Sequence, residues 1–156
     1  MKAIYFDMDG TIADLYGIVD WLPKLQAEDV TPYQDAAPLV DMDALNALME
    51  KFIALGYIIG VISWTAKDGT KEYNKAVRAA KRAWINDNLP CVQEFHVVKY
   101  GTPKHRTANI KGGILVDDNA GVRQAWEKYT GQNTTIDANN PAQMMATLQR
   151  LLEKVA

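Results

Sequence analysis

The chain has a single cysteine, Cys91, so no intrachain disulfide can form. That excludes a disulfide-stapled fold and suits a reducing, cytoplasmic setting in which Cys91 is a buried structural thiol. No apolar run approaches the length needed to cross a bilayer. The N-terminus enters a candidate strand within a few residues and lacks a signal-peptide layout. Excess charge of one sign is also missing. A net charge of -2 argues against broad electrostatic capture of nucleic acid. There is no low-complexity tract and no internal repeat.

What remains is an ordinary globular composition, 48% hydrophobic and 23% charged over 156 residues. That length fits one domain, residues 1–156, with a sizeable core. Short apolar runs at Ala3–Phe6, Ile58–Ile62, Phe95–Val98, Ile114–Val116 and Thr134–Ile136 read as strands. All but the last are nearly continuous, as expected where both faces of a sheet are covered. Between the first two, Leu45, Leu48, Met49, Phe52 and Leu55 form a helical stripe, with Asp41 placed as its N-cap and Gly56 ending it. A longer helix over about 70–88 has Tyr73, Val77, Ala80 and Trp84 on one face. Lys71, Lys75, Arg78 and Arg82 lie mainly on the other, where solvent is the default partner. A short helix follows Asn119, and Asn140-Pro141 opens the last one.

Strands alternating with helices predict an α/β, Rossmann-like three-layer sandwich with a mostly parallel five-stranded sheet. Residues 14–39 interrupt this rhythm with Tyr16, Trp21, Tyr33 and three prolines. The stretch is too long for a normal connection and too short for a domain, so it reads as a small helical cap inserted after the first strand.

The polar residues that follow the strands carry the chemistry. Strand one runs into Asp7-Met8-Asp9-Gly10-Thr11, strand two into Ser63-Trp64-Thr65, strand three through Tyr100-Gly101-Thr102-Pro103 to Lys104, and strand four into Asp117-Asp118-Asn119. Taken singly, each also reads as turn or cap chemistry. Together they meet at the carboxyl edge of a parallel sheet, where α/β folds bind ligands. Two carboxylates spaced i, i+2 can bind a divalent cation, or one can attack while the other moves a proton.

These residues resemble the four motifs of the haloacid dehalogenase superfamily of phosphohydrolases, and the likeness spans nearly the whole chain. Asp7-Met8-Asp9-Gly10-Thr11 fits the first motif, Ile62-Ser63 the second, Lys104 the third, and Leu115-Val116-Asp117-Asp118 the fourth. The short insert and the Val-Asp-Asp form of the fourth motif are most similar to the 5'(3')-deoxyribonucleotidase-like group and its bacterial and phage relatives. The resemblance implies a Mg²⁺-dependent phosphomonoester hydrolase. Asp7 would be the nucleophile, forming an aspartyl-phosphate, and Asp9 the proton shuttle. Ser63 would donate to a phosphoryl oxygen and Lys104 would pair with the phosphate and Asp7. Asp7, the Asp9 backbone carbonyl and the Asp117-Asp118 pair would hold the metal, with Asp118 preferred over Asp117 as the direct ligand. Met8, Gly10 and Thr11, with Trp64, Thr65 and Tyr16, are the expected substrate contacts. Lys99 is the fallback for Lys104, and His105 is set aside as a base because Asp9 already fills that role.

The expected substrate is a small phosphorylated molecule, with a nucleoside monophosphate as best guess, because Tyr16, Trp21, Tyr33 and Trp64 offer stacking surfaces. Two alternatives stay open: a non-enzymatic phosphate- or partner-binding relative, and a nucleic-acid 3'-end phosphatase, which would need a basic groove. C–halogen cleavage needs no second carboxylate, so Asp9 speaks against it. A receiver domain places its acidic pair before the phosphorylated Asp, the reverse of the order here.

Overall fold

The computed structural model describes residues 2–156. In chain order the elements are β1 (Lys2–Phe6), β2 (Ala13–Asp14), a 3-10 turn at Leu15–Gly17, α1 (Trp21–Gln26), α2 (Thr31–Asp35), β3 (Ala37–Pro38), α3 (Met42–Ala54), β4 (Tyr57–Trp64), α4 (Lys71–Asn88), β5 (Glu94–Val98), α5 (Lys104–Thr107), β6 (Ile114–Asp117), α6 (Ala120–Thr130), β7 (Thr135–Asp137) and α7 (Pro141–Val155). Side chains cap the helices where the sequence placed them. Asp41 accepts from the Ala44 N–H at 3.0 Å and Asn140 from that of Gln143 at 3.0 Å.

The main sheet has five strands in the order β5-β4-β1-β6-β7, and every pairing in it is parallel. Alternation along the strands sorts the core into two layers. Ile4, Phe6, Ile59, Val61 and Val116 pack with Leu45, Met49 and Phe52 of α3 and Met144, Leu148 and Leu152 of α7. Tyr5, Ile62 and Leu115 face the other way, against Trp126 of α6. The result is the α/β Rossmann-like sandwich expected from the alternation of elements. Among the described residues no helix is long and apolar enough to cross a membrane.

Register decides what reaches the ligand edge. Phe6 pairs with Val61 on one side and Val116 on the other. The next residues along the three strands, Asp7, Ile62 and Asp117, therefore lie level, and the Asp7 N–H donates to the Val116 carbonyl at 2.9 Å.

The segment between β1 and α3 forms the β2–β3 antiparallel pair and two short helices, α1 and α2. It is docked on α4. Glu28 takes both the N–H and the hydroxyl of Thr70, at 2.9 and 2.8 Å, at the N-cap of α4. The Tyr73 hydroxyl donates to the Asp29 carbonyl at 2.8 Å, and the Trp84 indole donates to that of Ala36 at 2.8 Å. Leu15 and Tyr33 are buried against Tyr73, Val77 and Ala80 of α4.

Candidate active site

β1 ends at Phe6, and the chain then turns. The N–H groups of Thr11, Ile12 and Ala13 all donate to the Met8 carbonyl, and Gly10 adopts a positive φ of 79°. A Cβ at Gly10 would stand 2.5 Å from Asp118 Oδ2 and 2.8 Å from the Tyr16 ring, so only glycine lets the two acidic loops approach this closely. The turn also separates Asp7 from Asp9. Strand alternation would put both carboxylates on one side, but the strand stops before either, and they engage different lysines.

Asp7 Oδ1 accepts from Lys104 Nζ at 2.7 Å, and the same ammonium donates to Asp117 Oδ2 at 2.7 Å. Lys104 is the first residue of α5 and is buried. Burial alone would lower its pKa, but the charges of Asp7 and Asp117 outweigh that and hold it raised. Lys99 is exposed, and Lys111 spends its ammonium on the carbonyls of His105, Arg106 and Ala108. Lys104 is thus the lysine that geometry brings to the first-strand acid. His105 stacks on Tyr129 with ring centroids 3.9 Å apart.

Asp117 is tied on both oxygens, to Lys104 and to the Asn119 N–H at 2.9 Å. Asp118 Oδ1 accepts from Thr11 Oγ1 at 3.1 Å, while the Thr11 oxygen accepts the Asp118 N–H at 3.1 Å. Thr11 is fully buried and acts as a brace between the two acidic loops. Burial, reinforced by the Asp7 charge, pushes both Asp117 and Asp118 up to about 6. Asp7, Asp117 and Asp118 each bring an oxygen within 4.8 Å of the others, an all-carboxylate cluster of the hard-donor kind that suits Mg²⁺. The Asp9 carboxylate is not in that cluster.

Asp9 instead meets a residue that the sequence reading passed over. Lys81, on α4, donates to Asp9 Oδ2 at 2.7 Å, Ser63 Oγ at 2.8 Å and the Trp64 carbonyl at 2.8 Å. Its side chain is 1% exposed. Burial pushes the Asp9 carboxyl up while Lys81 pulls it down, and burial wins. A signal existed: Lys81 is four residues after Val77 and three before Trp84, on the apolar stripe of an otherwise well-segregated helix.

Above these groups lies a cavity of about 610 Å³, lined by Asp7, Asp9, Lys104 and Asp118 and walled by Tyr16, Trp21, Tyr33, Trp64 and Tyr100. Trp64 is fixed by its indole N–H on the Thr102 carbonyl at 2.9 Å and by an edge contact with Tyr100. Tyr16 makes an edge contact with Trp21. Thr65 lines the cavity, and its Oγ1 is buried with no partner among the described residues. Ser63 is fully buried and lies outside the lining, with its oxygen held by Lys81. Met8 turns its side chain into the core, and the Gly10 N–H is spent on the Ala13 carbonyl. The edge therefore gathers Asp7, Asp9, Thr11, Lys104, Asp117 and Asp118 tightly. Trp64, Thr65 and Tyr16 stand around the cavity, and Ser63 sits one layer behind.

No family model matches the chain, and no curated protein matches it. Among solved structures it is similar to the crystal structure of D,D-heptose 1,7-bisphosphate phosphatase from Burkholderia Thailandensis. The TM-score is 0.60 at 14% sequence identity, covering 97% of this chain and 99% of that one. At that identity the likeness speaks to the fold: both chains share one α/β architecture over almost their full lengths.

Proposed function

We propose that the chain is a Mg²⁺-dependent phosphomonoester hydrolase of the haloacid dehalogenase type. One observation carries the reading: Lys104 bridges Asp7 and Asp117 at 2.7 Å each, at the carboxyl edge of the sheet and on the floor of a ligand-sized cavity. A carboxylate pinned by an ammonium and open to a cavity is a nucleophile held in a fixed attitude.

In this reading an Asp7 oxygen attacks the phosphorus of the monoester as the bond to the leaving oxygen breaks, and Asp9 gives its proton to that oxygen. Asp9 then takes a proton from a water that attacks the aspartyl-phosphate, which frees phosphate and restores Asp7. The raised pKa of Asp9 suits a group that must carry a proton before giving it up. Among the described residues the N–H groups of Met8 and Asp9 donate to no protein acceptor, which leaves them for phosphoryl oxygens. The Thr65 hydroxyl, which lines the cavity and is unpartnered among the described residues, is a further donor, whereas Ser63 sits one layer behind with its oxygen held by Lys81 and does not reach the cavity as the resemblance implied. Among the described residues Asp118 Oδ2 is the oxygen of the acidic pair left uncommitted, which favours Asp118 over Asp117 as the direct metal ligand. A Mg²⁺ bound by Asp7, Asp118 and the Asp9 carbonyl would offset the negative charge gathered around the transferring group.

The aromatic walls favour a substrate with a flat ring, and a nucleoside monophosphate is the best fit to a cavity of about 610 Å³. The test is phosphate release in Mg²⁺ from nucleoside monophosphates, sugar phosphates, 3'-phosphorylated oligonucleotides and 4-nitrophenyl phosphate. Hydrolysis of a small monoester, abolished by Asp7→Asn, is expected. Inertness toward the whole panel, or full turnover by the variant, would refute the proposal.

A further inference from the structure

Lys81 has no role in the chemistry above, yet it is a buried ammonium whose three N–H donors are all used. A charge this deep costs several kcal/mol unless the site repays it, and an apolar residue of similar size is often tolerated in its place. Its acceptors come from two different places. Ser63 and Trp64 belong to the end of β4, whereas Asp9 belongs to the turn after β1. The Tyr33 ring of α2 covers the remaining side, its centroid 4.9 Å from the ammonium. Lys81 therefore joins the Asp9 turn, the second strand end and the inserted segment at one point.

The contact also distinguishes the two oxygens of Asp9. Oδ2 is the acceptor for Lys81, and among the described residues Oδ1 has no protein partner. Asp9 lines the cavity, whereas Lys81 and Ser63 do not. We infer that Lys81 is a positioning residue, which clamps Asp9 by Oδ2 so that Oδ1 is the oxygen presenting the proton to the leaving group. This rests on the proposed function and adds a residue to it. Without the clamp, the Asp9 side chain is free to turn about its own bonds, and proton delivery loses its aim.

A leaving group's need for a proton provides the readout. Nitrophenolate departs unprotonated, whereas an alkoxide needs the proton, so the two substrates weigh Asp9 differently. Lys81→Met keeps the bulk of the side chain and removes the clamp. The expected result is a fall of roughly a hundredfold in the single-turnover rate of alcohol release from an alkyl phosphate, with at most a few-fold change in the pre-steady-state burst of nitrophenolate from 4-nitrophenyl phosphate, both of which read the first step alone. Lys81→Gln, scored the same way, serves if the methionine variant does not fold. Parallel losses on both substrates, or no loss on either, overturn the inference while leaving the hydrolase reading intact. A wild-type protein inert on both substrates overturns that reading, and this inference with it.

Discussion

Replacing Lys104 by methionine tests the centre of the site, because the consequence depends on pH in a direction the geometry dictates. The side chain is 3% exposed and lies 2.7 Å from both Asp7 and Asp117. Methionine fills nearly the same volume, so little cavity cost is added. What is lost is the cation among three clustered carboxylates. Breaking a buried pair in this way typically costs about 3–5 kcal/mol. Asp117 limits the damage: it sits at about 6 with Lys104 pulling it down, so without the lysine it rises further and takes up a proton. The folded variant then binds more protons than the folded wild type just above pH 6, so it loses ground as pH rises through that window. At pH 5 Asp117 is mostly protonated in both proteins, and only the Asp7 contact separates them. Urea unfolding in EDTA should therefore show a gap of about 3 kcal/mol at pH 7.5 that falls by about half at pH 5. A gap under about 1 kcal/mol at pH 7.5, or one equal at both pH values, would show that Lys104 is not the electrostatic keystone described here.

The acidic pair and the inserted segment supply two further tests. Asp117 and Asp118 are raised from 3.8 to about 6, so folding binds protons between those values, and the metal-free protein should lose stability as pH rises through that window. By the same linkage, Mg²⁺ binding should expel protons near pH 6 and almost none at pH 8, measured by calorimetry in buffers of different ionisation enthalpy; release independent of pH would contradict the assignment. Trp21→Ala should change selectivity among phosphomonoesters more than turnover of 4-nitrophenyl phosphate. Tyr33→Ala should instead destabilise the fold by about 3–5 kcal/mol, because that ring is 5% exposed and packed on α4. Equal selectivity changes from both would mean that the segment is not divided in this way.

Much of the architecture was legible because buried parallel strands announce themselves as apolar runs and helices announce their caps. The Ile58–Ile62 run became Tyr57–Trp64, and the Asp41 and Asn140 caps fell where the residues indicated. The two-stranded β2–β3 pair was not legible. Each strand is two residues long, too short to show alternation, and one contains a proline. Lys104 was preferred over Lys99 from the sequence although both lie near the end of β5, and the fold supplies the physical reason. Proline at 103 starts a short helix there that turns residue 104 inward. Lys81 was hidden for a different reason. Helical periodicity identifies a buried position, but a lysine there is normally discounted as an error of phase or as a snorkelling stem.

Charge balance ties the two lysines to the proposed chemistry. Asp7, Asp9, Asp117 and Asp118 face the cavity, and among the described residues only Lys81 and Lys104 are joined to them by ion pairs. With every acid ionised, two negative charges are left uncompensated. The site lowers that burden near pH 6 by keeping protons on Asp117 and Asp118. Such a field repels a phosphate monoester dianion, the proposed substrate, unless a further cation offsets it. One divalent ion held by the three-carboxylate cluster would neutralise the excess and leave each lysine its own task. In the proposed chemistry Lys104 would hold the attacking carboxylate, and Lys81 the one that carries the proton. If that division is right, Lys104→Met should depress turnover of every phosphomonoester alike, because nucleophilic attack is common to all of them. Loss of the Lys81 clamp should be felt in the first step in proportion to how badly the leaving group needs a proton.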